Sequence, residues 1–337
     1  MCSGRKPALL MLRRTLLAAP VVAALSCSRR ARSTRAVIRV APSPYLVSSP
    51  FYTALEAGYF ANAGLDIQLT KELPSLQSVP LLAAGRQDAG FIGLTSGLLN
   101  AISRGARVRI VAALEVVSPT CGTTGMIYVR RTDFPHGVQD IRQLRHRIIS
   151  VTSTTGAWMF GLDKLLERAG MSRADVTIRV LSASQRIVAL RSGGVDALLV
   201  TSVDLTPMLQ TWQITTGPRL AEVMPGFQST FLIYGERLLD GDVRDGAIFL
   251  RAWLRGLHDF SAGRTPAFVN QYAQSFGMDP RLVRLGCRDA YQKDGAIHEN
   301  DIQSFIDWAA RRGDIPRPIA ARSVIDTRFL EAMRKLS

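Results

Sequence analysis

Two hydroxyl-rich stretches of the sequence each stand between an apolar run and a helix-like segment. Gly93–Gly97 reads GLTSG, and Val151–Trp158 reads VTSTTGAW. Hydroxyl groups beside the free N–H groups at the positive end of a helix can bind an anion. Helix capping by the same hydroxyls is the alternative, and the two roles are compatible. We predict ligand contacts in these stretches from Thr95, Ser96, Ser153, Thr154, Thr155, Gly156 and Trp158.

Further candidate residues occupy other loops that follow apolar runs. Tyr45 lies in a Pro/Ser loop, where it could form an aromatic wall, and Ser48 in the same loop could donate a hydrogen bond. Glu115 ends an apolar run, and its carboxylate could hold a cationic group of a ligand or form a salt bridge instead. The remaining polar residues that we predict as ligand contacts are Ser202, Asp204 and Gln228. Ser202 and Asp204 have helix capping as their alternative role.

The sequence lacks the patterns of common catalytic and metal sites. The histidines His136, His146, His258 and His298 are far apart, and no Cys-x-x-Cys motif occurs. GLTSG does not have the Gly-x-Ser-x-Gly spacing of a hydrolase nucleophile, and neither a GxGxxG motif nor a phosphate-binding loop is found. We therefore expect no catalytic residue, no metal site and no cofactor.

One pattern that occurs twice indicates the elements that position these loops. Leu-x-x-Gly-x-x-Asp-Ala spans residues 82–89 and again residues 190–197. In each copy an apolar spacing typical of a helix precedes the glycine, and a short apolar run follows the alanine. Gly85 and Gly193 suit the left-handed residue that ends a helix, and the apolar runs are typical of buried parallel strands. The repeat therefore predicts two similar α/β lobes.

The order of apolar segments predicts two doubly wound α/β lobes, joined by two crossovers, with a helical C-terminal tail. Strands are predicted at 36–40, 65–69, 108–114, 126–129, 148–152, 176–181 and 229–234, and helices at 51–60 and 156–169. The crossovers are placed near 115–125 and 225–230, and the helical tail (242–336) is expected on the first lobe. The predicted domains are an export signal (1–27), a tether (28–35), lobe 1 (36–118 and 228–337) and lobe 2 (119–227).

The high net charge of +15 is concentrated at the N-terminus. Eight of the 42 basic residues lie in the first 35 positions, where no acidic residue occurs. From Ala36 onward the sequence contains 34 basic and 27 acidic residues. The basic residues are scattered rather than arranged in a stripe with aromatic residues. We therefore expect no nucleic-acid partner.

The N-terminal residues predict export. Arg13-Arg14 precedes the apolar run LLAAPVVAAL, which is followed by small residues and Cys27. The run is too short for a permanent membrane span. A lipoprotein signal with Cys27 lipidated, a twin-arginine signal and an ordinary cleaved signal all remain open. Export permits a disulfide between Cys121 and Cys287, and two buried thiols are the alternative.

Several segments together resemble a known family of exported proteins. FYTALEAGYFANAGLDIQL (Phe51–Leu69) is the most specific, and LLAAGRQDAGFIG, RVRIVAAL, LRSGGVDALLV and FIDWAARRGDI continue the likeness along the chain. These segments resemble type II periplasmic solute-binding proteins of the nitrate/sulfonate/taurine and thiamine-precursor group. The resemblance implies a monomeric periplasmic receptor that binds a small organic or anionic solute between two lobes by hinge closure. It also implies an inner-membrane ABC permease as partner.

Two other functions remain open beside the transport receptor. A periplasmic module that senses a ligand needs the same closing cleft, so the sequence does not separate it from a receptor. The resemblance also allows an enzyme similar to those that make the thiamine pyrimidine. The resemblance implies that such an enzyme would be rich in cysteine and would use a histidine in its reaction, whereas cysteine and histidine are sparse in this sequence.

Overall fold

Two five-stranded sheets with the same strand pattern form the centre of the protein. The computed structural model describes residues 36–43, 45–70, 75–120, 125–200, 213–275, 279–284, 290–316 and 319–336. The first sheet has the order β2-β1-β3-β10-β4, and the second has the order β7-β6-β8-β5-β9. The strands of the first sheet are β1 (Ala36–Ala41), β2 (Leu65–Leu69), β3 (Ala89–Gly93), β4 (Val108–Val116) and β10 (Gln228–Gly235). Those of the second are β5 (Met126–Arg130), β6 (Ile148–Val151), β7 (Thr177–Val180), β8 (Ala197–Val200) and β9 (Ile214–Arg219).

Each sheet combines a parallel trio with an antiparallel strand. In the first sheet β1 is parallel to β2 and β3, and β10 is antiparallel to β3 and β4. In the second sheet β6 is parallel to β7 and β8, and β5 is antiparallel to β8 and β9. The chain passes between the sheets after β4 and returns after β9. The predicted fold of two α/β lobes joined by two crossovers is therefore confirmed.

Helices follow most strands and complete both lobes. The first lobe contains α1 (Ser49–Glu56), α2 (Tyr59–Asn62), α3 (Ser75–Ala83) and α4 (Ser96–Ser103), and the second contains α5 (Ala157–Arg168) and α6 (Ala183–Ser192). The C-terminal helices are α7 (Glu236–Asp240), α8 (Val243–Ser261), α9 (Ala267–Ser275), α10 (Pro280–Arg284), α11 (Glu299–Arg311) and α12 (Arg328–Arg334). The single helix predicted at 51–60 is instead two helices, because Gly58 has a positive φ of 70° and ends the first one. Strand β9 was not predicted.

The repeated pattern forms the same joint in both lobes. Asp88 Oδ2 accepts a hydrogen bond from the Arg39 N–H at 2.8 Å, and Asp196 Oδ2 accepts one from the Ile148 N–H at 2.8 Å. The N–H of each aspartate in turn donates to the carbonyl of the same partner. The pattern therefore recurs because each aspartate attaches the third strand of a parallel trio to the first.

The C-terminal helices contact both lobes. Phe249 and Trp253 of α8 belong to a core cluster with residues of the first sheet, such as Val40 and Phe91. Phe268 of α9 belongs to another cluster that contains strand residues of the second sheet. The tail expected on the first lobe thus also shares a core cluster with the second lobe at α9, while the Phe268 ring stacks on the Tyr52 ring of α1, 4.3 Å away between centroids.

Close packing of α8 fixes the position of α1. A side-chain carbon at Gly256 would come within 2.6 Å of the Ala54 N and the Pro50 O, so only glycine fits this crossing of α1 and α8. Helix α1 begins directly after Ser48. The packing of α1 against α8 therefore fixes the position of the start of α1.

Residues Arg35–Ser337 form one compact unit. The predicted export signal, tether, Cys27, Cys121 and Cys287 lie outside the described residues. In the part of the chain that the structure describes, no helix is both long and apolar enough to cross a membrane.

Candidate functional site

The ends of three strands meet at one edge of the first sheet. Gly93 at the end of β3 lies opposite Thr230 of β10, and Thr230 lies opposite Glu115 near the end of β4. Adjacent strands are about 4.8 Å apart, so the three residues form a row about 10 Å wide. The loop after β1, which contains Tyr45 and Ser48, follows the neighbouring strand at the same edge. Ligands of doubly wound sheets bind outside such an edge.

Two helices begin at this edge with buried serine hydroxyls. Ser48 precedes α1 and is 0% exposed, and Ser96 is the first residue of α4 and is 3% exposed. Within the described residues, neither Oγ has a hydrogen-bond partner, and the same holds for Ser49. Buried hydroxyls are normally hydrogen-bonded, so these groups are the strongest indication of a polar binding site on the first lobe.

Thr95 and Tyr45 have identifiable structural roles. Thr95 Oγ1 accepts a hydrogen bond from the Leu98 N–H at 3.2 Å and caps α4. The Tyr45 carbonyl accepts a hydrogen bond from the Ser48 N–H at 3.0 Å, and the residue is half-buried. The capping role considered for the threonine is therefore present.

Glu115 is part of a polar cluster beside the crossover. Its Oε2 accepts a hydrogen bond from Thr230 Oγ1 at 3.0 Å, and its backbone pairs with that of Tyr291. Burial and then the negative charge of Glu115 raise the pKa of Tyr291 well above its ordinary value. The Tyr291 hydroxyl donates to the Leu46 carbonyl at 3.4 Å, which links this cluster to the loop after β1.

Tyr291 was not found by the sequence reasoning. It lies in a C-terminal segment far along the chain from Glu115, and no local pattern marks it. Only the folded chain brings the two residues together, through the hydrogen bond from the Gln292 N–H to the Leu114 carbonyl at 2.8 Å.

The loop after β6 forms the corresponding edge of the second sheet. Ser153 Oγ accepts a hydrogen bond from the Thr155 N–H at 3.2 Å and lies 3.3 Å from Thr155 Oγ1. Thr154 and Trp158 are half-buried, and Gly156 directly precedes α5. The hydroxyl-rich loop is thus a compact turn held by its own side chains.

The two predicted loops touch each other directly. The Ser96 N–H donates to the Thr155 carbonyl at 2.9 Å, and the Ala157 N–H donates to the Leu94 carbonyl at 3.0 Å. These bonds place Thr95 opposite Gly156 in an antiparallel pair. The structure therefore brings the two loops together, and it uses the first N–H group of both α4 and α5 in the contact.

Gln228 has a different position from the one expected of a ligand contact. Its side chain is buried, its Nε2 donates to the Ala296 carbonyl at 2.7 Å, and its Oε1 accepts from the His298 N–H at 2.7 Å. Both ends of the amide thus hold the crossover to the segment before α11. Ser202 and Asp204 lie outside the described residues.

Charged residues at the two edges differ in sign. The described residues of the loops at 42–48, 93–97, 115–120, 152–158 and 226–230 contain Glu115 and no basic residue. Arg186 of α6 is a buried cation at the second edge, where its Nη1 donates to the Leu199 carbonyl at 2.7 Å. Sequence reasoning missed Arg186 because it lies within a helix that has no functional pattern.

The described residues do not bring metal-binding side chains together in one place. Among the described residues, no group of three His, Cys, Asp or Glu side chains is placed to hold a metal ion.

Comparison with protein families identifies the chain, because a family model described as NMT1/THI5 like matches residues 46–267. The chain belongs to the NMT1/THI5-like family. No curated protein sequence matches it.

Solved structures with a fold similar to that of this NMT1/THI5-like protein include several binding proteins. The alkanesulfonate-binding protein SsuA from Xanthomonas axonopodis pv. citri, bound to MOPS, is 16% identical over 87% of this chain and 98% of its own, with a TM-score of 0.66. The periplasmic aliphatic sulphonate-binding protein SsuA from Escherichia coli is 14% identical over 86% and 92%, with a TM-score of 0.67. The periplasmic nitrate-binding protein NrtA from Synechocystis PCC 6803 is 12% identical over 89% of each chain, with a TM-score of 0.69. At these identities the likeness establishes the fold alone.

Proposed function

We propose that this protein is an exported solute-binding protein of an ABC importer that binds a small organic or anionic solute between its two lobes. The observation that carries the proposal is the pair of buried hydroxyls, Ser48 and Ser96, which lack partners in the described structure at the starts of α1 and α4. A solute with oxyanion or carbonyl oxygens would accept hydrogen bonds from both. The sulfonate-binding and nitrate-binding proteins with a similar fold support this class of solute.

The proposed contact set is narrower than the set expected from sequence. It contains Ser48, Ser96, Glu115, Ser153 and Thr154, with Tyr45 and Trp158 as aromatic walls. Thr95, Thr155 and Gly156 are assigned to the contact between the lobes, because the Thr155 carbonyl accepts one of the two bonds that join the loops, and Thr95 and Gly156 are opposed between those bonds. Gln228 is assigned to the crossover, because its amide is bonded at both ends.

The charges favour a solute that has both an acidic and a basic group. Glu115 places a negative charge on the first edge, and Arg186 places a positive charge on the second. Taurine carries a sulfonate and an ammonium group, whereas ethanesulfonate carries the sulfonate alone. A comparison of these two compounds isolates the contribution of the basic group.

A binding role also agrees better with the described residues than catalysis does. Within the described residues, the Oγ atoms of Ser48 and Ser96 have no hydrogen-bond partner, so neither is bonded to a histidine that could act as the base in nucleophilic catalysis. Export, the permease partner and the monomeric state belong to the same proposal, and the lobe boundaries (36–118 with 228–337, and 119–227) do as well. Lipidation of Cys27 stays a prediction.

A thermal-shift screen of residues 35–337 tests the proposal. The panel contains ethanesulfonate, taurine, nitrate, aromatic carboxylates, and pyrimidine and flavin vitamin precursors. A solute at 100 times its Kd stabilises the folded state by about 2.7 kcal/mol, which corresponds to several degrees in Tm. A shift from one class, verified by calorimetric titration, supports a receptor. Product formation from any compound, or binding of none of them, contradicts the proposed solute class.

A further inference from the structure

The contact between the two loops lies at the starts of two helices. The N–H groups of Ser96 and Ala157 belong to the first residues of α4 and α5. First-turn N–H groups have no acceptor within their own helix. Here each one donates to a carbonyl of the other lobe, at 2.9 Å and 3.0 Å. The first N–H group of each helix therefore has its hydrogen-bond acceptor in the opposite lobe.

The apolar core behind this contact runs through both lobes. One cluster of buried residues contains Leu98 and Leu99 of α4, Phe160 of α5, and Phe305 of α11. The Phe160 ring lies 5.4 Å from the Phe227 ring and 6.0 Å from the Phe305 ring, measured between centroids. Moving α4 away from α5 would expose these side chains to water, which opposes separation at this point.

Helix α11 is attached to the second lobe by a buried carboxylate. Asp163 of α5 accepts hydrogen bonds from Trp308 Nε1 at 2.8 Å and from Arg173 Nε and Nη2 at 2.7 Å and 2.8 Å. The Arg312 Nη1 lies 3.7 Å from Asp163 Oδ2, and the Arg173 guanidinium lies over the Trp308 ring, 5.8 Å from its centroid. These charge-assisted and aromatic contacts hold α11 on α5.

The same helix is attached to the first lobe by polar contacts at both of its ends. At its start, Asp301 Oδ2 accepts a hydrogen bond from the Gln228 N–H at 3.0 Å. Beyond its end, the Asp314 carbonyl accepts one from Asn100 Nδ2 of α4 at 2.9 Å. Helix α11 thus spans the junction of α4 and α5 and is bonded to both lobes.

We propose that the contact between Thr95 and Gly156, supported by α11, is a fixed pivot that stays formed while solute binds and leaves. This inference rests on the proposed function, since it concerns the movement that admits the solute. It places the moving part of the cleft away from the starts of α4 and α5. It also means that the N–H groups of Ser96 and Ala157 remain bonded to protein and do not bind solute.

Amide hydrogen exchange of the solute-free protein tests the pivot without any ligand. An open state of a hinged protein is commonly populated at about 0.1–10%, so an interface that separates in ordinary hinge opening limits amide protection to about 10- to 1,000-fold. A fixed pivot opens only with larger unfolding, and we expect protection of the Ser96 and Ala157 amides above about 10,000-fold. The amide of Phe305 within α11 is the reference. Protection of Ser96 and Ala157 below about 1,000-fold, with Phe305 strongly protected, overturns the proposal.

A disulfide across the contact gives a second test. Thr95 and Gly156 face each other between the two interlobe hydrogen bonds, a geometry in which Cα atoms are about 4.5 Å apart and a disulfide fits. A Cβ at position 156 would lie 3.6 Å from Thr95 Cγ2. The variant is Thr95→Cys with Gly156→Cys in residues 35–337, with Cys121→Ser and Cys287→Ser added to leave a single thiol pair.

Oxidation of this variant should leave solute binding intact if the contact is a pivot. We expect the Kd and the association rate of the oxidised form to lie within about threefold of those of its reduced form. If the lobes separate at this contact when solute enters, the disulfide should slow solute exchange at least a hundredfold. Such a result would show that the contact is not a fixed pivot. If no solute binds the unmodified protein, the proposed function fails while the exchange experiment still decides the pivot.

Discussion

Ser48 and Ser96 allow binding and stability to be separated by single substitutions. Both hydroxyls are buried, and the described structure gives them no hydrogen-bond partner. An unpaired buried polar group costs about 1–3 kcal/mol, and this cost disappears when the serine becomes alanine. We therefore expect the free energy of unfolding of S48A and S96A to stay unchanged or to rise by about 1 kcal/mol. Most substitutions of buried residues have the opposite effect.

The same substitutions should weaken solute binding. A hydrogen bond to a charged group contributes about 1.5–3 kcal/mol, and each 1.4 kcal/mol corresponds to a factor of ten. We expect S48A and S96A to raise the Kd for the best solute by about 10- to 100-fold each. Urea unfolding measures stability, and isothermal titration calorimetry measures the Kd.

Ser172 provides the matched control. Its Oγ accepts a hydrogen bond from the Ala174 N–H at 3.2 Å and caps a short 3-10 helix on the second lobe. Loss of such a cap costs about 1 kcal/mol, so S172A should be less stable and should keep the Kd. The reasoning is refuted if S48A and S96A lose stability as S172A does while their Kd stays the same.

Three further predictions follow from other parts of the structure. D88N should lower the free energy of unfolding by about 3 kcal/mol and D196N by less, because the Asp88 side chain is 1% exposed and the Asp196 side chain 17%; equal losses in urea unfolding would contradict this. G256A should destabilise the fold and weaken solute binding, because its Cβ would come within 2.6 Å of the backbone of α1, whereas G194A meets no atom closer than 3.5 Å and should be tolerated in both assays. Burial alone would raise the pKa of Asp294, but hydrogen bonds from the Ala296 N–H and the Gln292 amide lower it below the ordinary value. The carboxylate therefore stabilises the fold above about pH 4, and the stability difference between wild type and D294N should shrink as the pH falls further.

The repeated pattern shows how much of the fold is visible in the sequence. Gly85 and Gly193 both have the predicted positive φ, at 64° and 80°. The apolar runs after them are the buried strands β3 and β8, each in a parallel trio. These features are local, since a helix end, a turn and a buried strand each leave a pattern within about ten residues. For this reason the lobes and most of their elements could be predicted.

The elements that were missed have weak local patterns. Strand β9 reads ITTGPR, in which glycine and proline are atypical of strands, and pairing with β5 stabilises it. The division of α1 from α2 depends on Gly58, whose left-handed conformation is only one of those open to glycine. Contacts with distant residues decide such cases.

The sequence by itself determined the two hydroxyl-rich loops and the edges that carry them, because strand ends and helix starts are local. Only the tertiary structure decided which groups in those loops already form contacts within the protein. It pairs Thr95 with Gly156, bonds both ends of the Gln228 amide, and brings Tyr291 beside Glu115. Each of these contacts joins residues more than 60 positions apart, and a contact over such a separation depends on how distant segments pack in the folded chain. A residue type suited to binding is therefore readable from sequence, whereas its freedom to bind is a property of the folded chain.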